Sequence, residues 1–282
     1  MKRRDDMRLW RDASLPEGLE LLRASCVDHR YPAHDHDEFV VAAFKSGAQR
    51  HRISRHEGVA YAGMVMIIPP GEVHTGEAAV RGEIWEYCAY YPSPALLERI
   101  ADDVHGGGGG LDFGRERLQI DPTVAQILLN AHRVIEVATD PLEKQSVLLD
   151  ALGLLIHKYG QRTRRGPRPS ALDADIGRAI AFIHEHHARS LTVGEIADVA
   201  GLSEYHFMRT FRATRGLPVH RYLTQLRLDR AKSLLQRGVS ASETALAVGL
   251  FDQSHLTNLF RKNFGVTPRA FALACGPHQL DS

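Results

Sequence analysis

Basic side chains that could neutralise the phosphates of a nucleic acid are concentrated in one stretch of the chain. Between Tyr205 and Lys232 the sequence carries seven basic residues and a single acidic one, Asp229. Neutralisation of phosphates by Lys and Arg supplies the part of DNA affinity that does not depend on base sequence. A solvated helix face is the alternative interpretation of this pattern. The basic residues are Arg209, Arg212, Arg215, Arg221, Arg227, Arg230 and Lys232.

Polar side chains with the chemistry needed to read base edges lie in the same third of the chain. Arg209 can donate two hydrogen bonds to guanine, and Gln253 and Asn258 can pair with adenine. Thr257 can contact the methyl group of thymine. Such residues read DNA only if the fold presents them together on elements that fit the major groove.

An internal repeat indicates the scaffold that presents these side chains. Residues 191–202 align with residues 239–250 position for position, and the segments that follow align after a one-residue insertion. Each copy places an alanine four positions before a glycine, Gly201 or Gly249. A tight turn between two crossing helices needs a small residue for close packing and a glycine for its backbone angle. The repeat therefore predicts two helix-turn-helix units.

The helix ends within each copy are marked as well. The first helix opens with a capping box, Thr192 with Glu195 in one copy and Ser240 with Glu243 in the other. A capping box satisfies free backbone donors at a helix start. We expect the second helices to begin near residues 204 and 252 and to end before residues 216 and 265.

A helix between the two copies sets their separation. Pro218 suits its first turn, Gly238 suits its end, and a helix over residues 218–237 would be roughly 30 Å long. One turn of DNA is roughly 34 Å, so the two second helices could enter successive major grooves. A packed bundle without DNA is the alternative, but it leaves the repeated spacing and the basic residues unexplained.

Residues 175–273 resemble the DNA-binding domain of the AraC/XylS family of transcription regulators. The segment from Ala247 to Phe271 carries the resemblance, with Thr244 and Leu250 as departures from the usual aliphatic and aromatic residues. The resemblance implies a regulator that binds double-stranded DNA in a sequence-specific way, with RNA polymerase as a candidate partner. Activation is the family expectation, although the residues do not determine whether transcription rises or falls.

The resemblance also assigns contacts residue by residue. The base-reading positions of the family fall on Glu204, Tyr205, His206, Met208, Arg209, Gln253, Ser254, Thr257 and Asn258. We assign Arg212, Arg261 and Lys262 to phosphate contacts, which position a protein on DNA without specifying the sequence.

The N-terminal part resembles a cupin, the usual effector-binding domain of that family. Short β-type runs separated by glycine and proline turns predict a sandwich or barrel. Residues 63–74 match the second cupin motif, and His34 and His36 match the two histidines of the first. Val40 stands where the motif has a glutamate, with Glu38 nearby. The metal shell that the resemblance implies is therefore incomplete.

We expect His34, His36 and His74 to converge in one pocket of the barrel, and three hypotheses describe their role there. Neutral imidazoles could hold a divalent transition metal, bind an effector through hydrogen bonds, or tie strands together. A metal site depends first on the identity and number of its ligands, and one ligand is missing here. We therefore favour the metal-free roles and assign no cofactor, with a divalent transition metal as the alternative. A metal-dependent cupin enzyme with a helical appendage is the alternative function. It gives the second domain no role, so we expect no enzymatic activity.

Length and composition agree with this organisation. A chain of 282 residues with 44% hydrophobic and 24% charged residues has room for two globular domains. Three scattered cysteines favour a reducing cytoplasm, and no segment is apolar enough to span a bilayer. We predict an α+β fold. A cupin-like β-barrel with flanking helices occupies residues 1–160, and a linker follows over residues 161–172. Residues 173–282 form an all-α domain in which a linker helix joins two helix-turn-helix motifs. Helices expected over residues 122–159 offer a surface for a homodimer, and a small-molecule effector is the expected ligand.

Overall fold

The chain forms two compact units in a computed structural model that describes residues 5–106, 109–163 and 171–275. One unit comprises residues 1–30 with 35–166, and the other comprises residues 31–34 with 167–282. None of the helices within the described ranges combines the length and the apolar composition needed to cross a membrane.

The first unit is rich in β-strands. The strands of the chain are β1 (Asp6–Arg11), β2 (Glu20–Cys26), β3 (Arg30–His34), β4 (Val40–Ser46), β5 (Ala48–Ile53), β6 (His56–Tyr61), β7 (Met64–Ile68), β8 (His74–Ala78), β9 (Trp85–Tyr91), β10 (Gly110–Asp112), β11 (Leu118–Ile120) and β12 (Gln161–Thr163). All lie in the first unit except residues 31–34 of β3, which belong to the other. A six-stranded antiparallel sheet has the order β1-β2-β9-β4-β7-β11, and a four-stranded sheet has the order β3-β8-β5-β6. The cupin-like β-rich domain is confirmed, although its strands form separate sheets rather than a closed barrel.

Three helices flank these sheets: α1 (Pro94–His105), α2 (Pro122–Val137) and α3 (Pro141–Tyr159). Each has a proline in its first turn and a capping side chain before it, from Ser93, Asp121 or Asp140. An N–H group in the first turn of a helix has no partner within the helix, so proline loses no hydrogen bond there. The predicted helical run over residues 122–159 is therefore two helices. Tyr90 of β9 donates a hydrogen bond to the Leu128 carbonyl of α2 at 2.5 Å, which ties helix to sheet.

The second unit is helical. It contains α4 (Ala171–His186), α5 (Val193–Ala200), α6 (Glu204–Arg215), α7 (Val219–Gln236), α8 (Ala241–Ala247), α9 (Gln253–Phe264) and α10 (Pro268–Cys275). The repeat thus gives two helix-turn-helix units, α5–α6 and α8–α9, and α7 joins them. In the predicted linker over residues 161–172, residues 161–163 form β12 and α4 begins at Ala171, while residues 164–170 lie outside the described residues.

Apolar side chains hold each helix-turn-helix unit in place. Phe207 and Phe211 of α6 are fully buried in a core built with α4, α5 and α7. Leu256 and Phe260 of α9 are fully buried as well, and Phe260 packs on Phe271 of α10 with ring centroids 5.6 Å apart. Both second helices therefore bury one face, and their opposite face is exposed.

Candidate functional site

Both predicted capping boxes are present at the starts of α5 and α8. The Thr192 hydroxyl accepts a hydrogen bond from the Glu195 amide at 3.2 Å, and the Glu195 carboxylate accepts one from the Thr192 amide at 2.8 Å. Ser240 and Glu243 make the same reciprocal pair at 3.2 and 3.3 Å. The Thr192 amide and the Arg189 guanidinium lower the pKa of Glu195 to about 2. Each helix-turn-helix unit therefore begins at a fixed point.

Helix α6 presents a polar face. The N-cap Ser203 accepts a hydrogen bond from the His206 amide at 3.4 Å, which fixes where the helix begins. The Arg209 guanidinium lies 5.9 Å from the ring centroid of Tyr205, so a cation–π contact restricts its position. All the contact residues predicted on this helix are exposed: Glu204, Tyr205, His206, Met208, Arg209 and Arg212.

Helix α9 presents the corresponding face of the second unit. Its N-cap, Asp252, accepts a hydrogen bond from the His255 amide at 2.7 Å. Thr257 is half-buried and donates its hydroxyl to the Gln253 carbonyl at 2.8 Å, so its methyl group is what remains for an apolar contact. The other contact residues predicted here are exposed: Gln253, Ser254, Asn258, Arg261 and Lys262.

The basic stretch from Arg209 to Lys232 is not a single DNA-facing stripe. Arg227 donates hydrogen bonds to the carbonyls of His187 and Arg189, at 2.8 and 2.9 Å, and so ties α7 to the segment after α4. Lys232 is buried, and its ammonium lies 4.7 Å from the ring centroid of Phe264. These two cations serve the packing of the domain, and the stripe prediction is wrong for them.

The two departures from the family pattern are accommodated. Leu250 is buried and fills the place where an aromatic ring was expected. Thr244 is fully buried, and its hydroxyl donates a hydrogen bond to the Val239 carbonyl at 3.5 Å. A buried hydroxyl with a partner avoids the penalty of an unsatisfied polar group. The second helix-turn-helix unit therefore packs with these residues.

The three histidines singled out in the N-terminal part of the sequence converge, as predicted. One ligand atom from each of His34, His36 and His74 lies within 4.8 Å of the others. Nδ1 of His34 is 2.7 Å from the Pro32 carbonyl, and Nδ1 of His74 is 2.9 Å from the Glu72 carbonyl. Because a carbonyl only accepts, each Nδ1 donates and Nε2 is the nitrogen with a lone pair.

Aromatic contacts place this cluster between the sheets. The His36 ring centroid lies 5.3 Å from that of His74 in β8 and 5.1 Å from that of Tyr91 in β9. Burial lowers the pKa of His74 and raises that of Tyr91. Both side chains are therefore neutral at physiological pH and suited to hydrogen bonding with a polar molecule.

The sequence did not single out two polar residues of β5. Gln49, His51 and Ile53 are all buried, because alternate residues of a strand face the same side. His51 pairs across the sheet with Gly76 of β8, two positions from His74, and burial lowers its pKa. A Cβ at Gly58 would lie 2.9 Å from the His51 ring, so this glycine makes room for the imidazole. The signal in the sequence was that Gln49 and His51 lie two positions apart in a strand and therefore face the same side.

Family comparisons match both units. Residues 18–152 match the family described as AraC-like ligand binding domain, and residues 196–273 match the family described as helix-turn-helix domain. The HTH-type transcriptional regulator YbfI of Bacillus subtilis is 25% identical over 238 residues, which cover 84% of this chain and 86% of that protein. The HTH-type transcriptional activator RhaS of Salmonella schwarzengrund is 22% identical over 245 residues, covering 85% and 86%.

Solved structures show the same fold. The apo form of a ToxT variant from Vibrio cholerae superimposes with a TM-score of 0.58 at 10% identity, covering 96% of this chain and 97% of that chain. Wild-type ToxT with a bound unsaturated fatty acid gives a TM-score of 0.54 at 11% identity, covering 96% and 94%. At these identities the likeness concerns architecture.

Proposed function

The chain belongs to the AraC family of transcription regulators, and we propose that α6 and α9 read a specific double-stranded DNA sequence under the control of a small-molecule effector. The observation that carries the proposal is the pair of recognition helices, each with a buried apolar face and an exposed polar face. Arg209 on α6 and Gln253 and Asn258 on α9 supply hydrogen-bonding groups for base edges. Arg212, Arg261 and Lys262 supply the phosphate contacts.

The effector site of this proposal lies in the β-rich unit. His36, His74 and Tyr91 approach one another between the sheets, and the buried side chains of Gln49 and His51 belong to the same unit. These side chains offer hydrogen-bond donors and acceptors. We infer from them that the effector is a small molecule with polar groups. The match of residues 18–152 to a ligand-binding family supports the same assignment.

DNA selection in vitro with the full chain tests the proposal. We expect repeated rounds to enrich one sequence, and titrations at a single salt concentration to show tighter binding to it than to a scrambled duplex. Arg209→Ala should alter the preference for one part of the site, and Asn258→Ala that for another. Enrichment of no sequence by the full chain would contradict the proposal.

A divalent transition metal at the three histidines is a second candidate. The 4.8 Å limit on the distances between their ligand atoms favours it, as do the carbonyl partners that orient two of the rings. Val40, where the metal-binding motif has a glutamate, is buried and offers no ligand atom. The residues present thus supply three imidazoles and leave the remaining coordination positions open.

Metal analysis of protein purified without a histidine tag decides between these candidates. Stoichiometric metal that is lost in His74→Ala but kept in the neighbouring His51→Ala would establish the metal site. Protein with little or no metal leaves the imidazoles to the effector or to structure. Because Val40 leaves the shell incomplete, we propose that the chain acts as a regulator without turnover chemistry. The three scattered cysteines favour the cytoplasm as its compartment.

Self-association is the last part of the proposal. Leu142 and Leu149 of α3 are 70% and 43% exposed and lie seven residues apart, so they share one face of the helix. A homodimer formed on this face would present four helix-turn-helix units to repeated half-sites. RNA polymerase is the partner through which a bound regulator would change transcription.

A further inference from the structure

Phe251 is the most exposed large apolar side chain among the described residues. Its side chain is 85% exposed, and it lies between the buried Leu250 and Asp252, the N-cap of α9. Single exposed apolar residues are common on protein surfaces, so exposure alone assigns nothing. What distinguishes Phe251 is its position directly before the N-cap of α9, the second recognition helix.

The repeat shows that Phe251 is an added residue. In the first unit Leu202 is followed at once by the N-cap, Ser203, whereas in the second unit Phe251 stands between Leu250 and the N-cap. The helix-turn-helix fold therefore forms in the first unit without a residue at this point. Since the ring is not buried in the domain, the packing of the second unit does not account for it.

The backbone on either side of Phe251 is fixed. The Leu250 amide donates to the Ala245 carbonyl at 2.9 Å, and the Asp252 carboxylate accepts from the His255 amide at 2.7 Å. The backbone of Phe251 is thus fixed next to the first turn of α9, which carries the exposed Gln253 and Ser254. The N-terminal residues of a recognition helix are those that contact base edges in the major groove.

We propose that Phe251 recognises thymine, by packing its ring on the C5 methyl group at the edge of the DNA segment that α9 reads. This inference rests on the proposed function. The thymine methyl is the apolar group that the major groove presents, and contact with an apolar side chain is how proteins read it. Burial of one such group corresponds to about a fourfold change in affinity.

Deoxyuridine substitution tests the contact, because uracil differs from thymine only by that methyl group. Each thymine of the selected duplex is replaced in turn, and binding is titrated with wild type and with Phe251→Ala. We expect one replacement to weaken wild type by about fourfold. Phe251→Ala should bind the thymine duplex as weakly as wild type binds the uracil duplex, and should lose nothing further on replacement.

A matched control separates this contact from a general loss of apolar surface. Leu246 lies on α8 of the same unit and is 65% exposed. Leu246→Ala should keep the full dependence on the methyl group. Circular dichroism should show both variants folded, since neither removed side chain is buried.

Three results would overturn the inference while the proposed function stands. They are a selected site without a methyl-sensitive thymine, an unchanged dependence on the methyl group in Phe251→Ala, and normal DNA binding of Phe251→Ala with lost regulation in a reporter assay. The last result would assign the ring to a protein partner. If wild type selects no sequence at all, the proposed function fails, and the inference fails with it.

Discussion

The turn glycines of the two helix-turn-helix units, Gly201 and Gly249, form a matched pair for testing how each unit is packed. Both have left-handed backbone, with φ of 70° and 78°. An alanine in this conformation costs about 1–2 kcal/mol, and its smaller freedom in the unfolded chain returns about 0.4–1 kcal/mol. A Cβ at Gly201 would have open space, with Nη2 of Arg178 at 4.0 Å as the nearest atom. We therefore expect Gly201→Ala to destabilise the domain by about 1 kcal/mol.

Gly249 has different surroundings. A Cβ there would lie 2.4 Å from the backbone carbonyl oxygen of Ala188, well inside van der Waals contact, and a backbone atom cannot rotate away. Overpacking of this kind adds about 1–3 kcal/mol, so Gly249→Ala should cost about 2–4 kcal/mol in all.

Urea unfolding of the full chain compares the two variants. Far-UV circular dichroism follows the helices of both units, most of which lie in the helical unit. Tryptophan fluorescence follows the β-rich unit separately, because Trp10 and Trp85 lie there, so the transition seen only by circular dichroism is that of the helical unit. A lower midpoint for Gly249→Ala than for Gly201→Ala is the expected result. Equal midpoints, or a larger loss at Gly201, would refute the assigned contact with Ala188.

Three further predictions concern DNA, pH and self-association. Arg209→Ala should cost about 1–3 kcal/mol on the selected duplex and relax preference at one base pair, whereas Lys262→Ala should weaken all duplexes alike; unchanged affinity and base preference of Arg209→Ala in matched titrations would remove it as a reader. Despite burial, hydrogen bonds from α3 hold the pKa of Asp121 at about 2, below 3.8, so its stabilising effect is full above pH 3.8 and lost as the pH falls through about 2. The difference in urea stability between wild type and Asp121→Asn should shrink over that range, and a constant difference would contradict the assignment. In light scattering, Leu149→Glu should convert the dimer to monomers while Val80→Glu at another exposed apolar site should not, and a wild-type monomer at micromolar concentration would exclude the dimer.

Features with a local cause were predictable from the sequence. Each capping box involves residues three apart, so Thr192 and Ser240 with their glutamates mark the same helix starts in sequence and structure. The buried positions of α6 and α9 follow from helical spacing in the same way. The convergence of the three histidines was predicted from motif resemblance, which carries tertiary information that single residues lack.

Features that depend on long-range neighbours were not predictable. Arg227 reads as one more cation of a basic stretch, and only the packing of α7 shows that its guanidinium holds the carbonyls of His187 and Arg189. His51 is polar and unremarkable in sequence, and only the pairing of β5 with β8 brings it near His74. The spacing of strands and turns predicted a sandwich or a barrel, and the cupin resemblance implied the barrel, but neither determines whether sheet edges meet.

The two DNA-reading units share one sequence pattern but differ in their surroundings, and the difference bears on function. The turn of the first unit is open at Gly201, whereas the turn of the second unit lies against the Ala188 carbonyl and continues into an added residue, Phe251. A turn fixed from outside holds its recognition helix more rigidly, and rigid placement is what a discriminating contact requires. We therefore expect alanine at Gly249 to weaken DNA binding more than alanine at Gly201. Binding is measured without urea, at a temperature at which both variants are folded. Equal binding by the two folded variants would show that the second turn is fixed for stability alone.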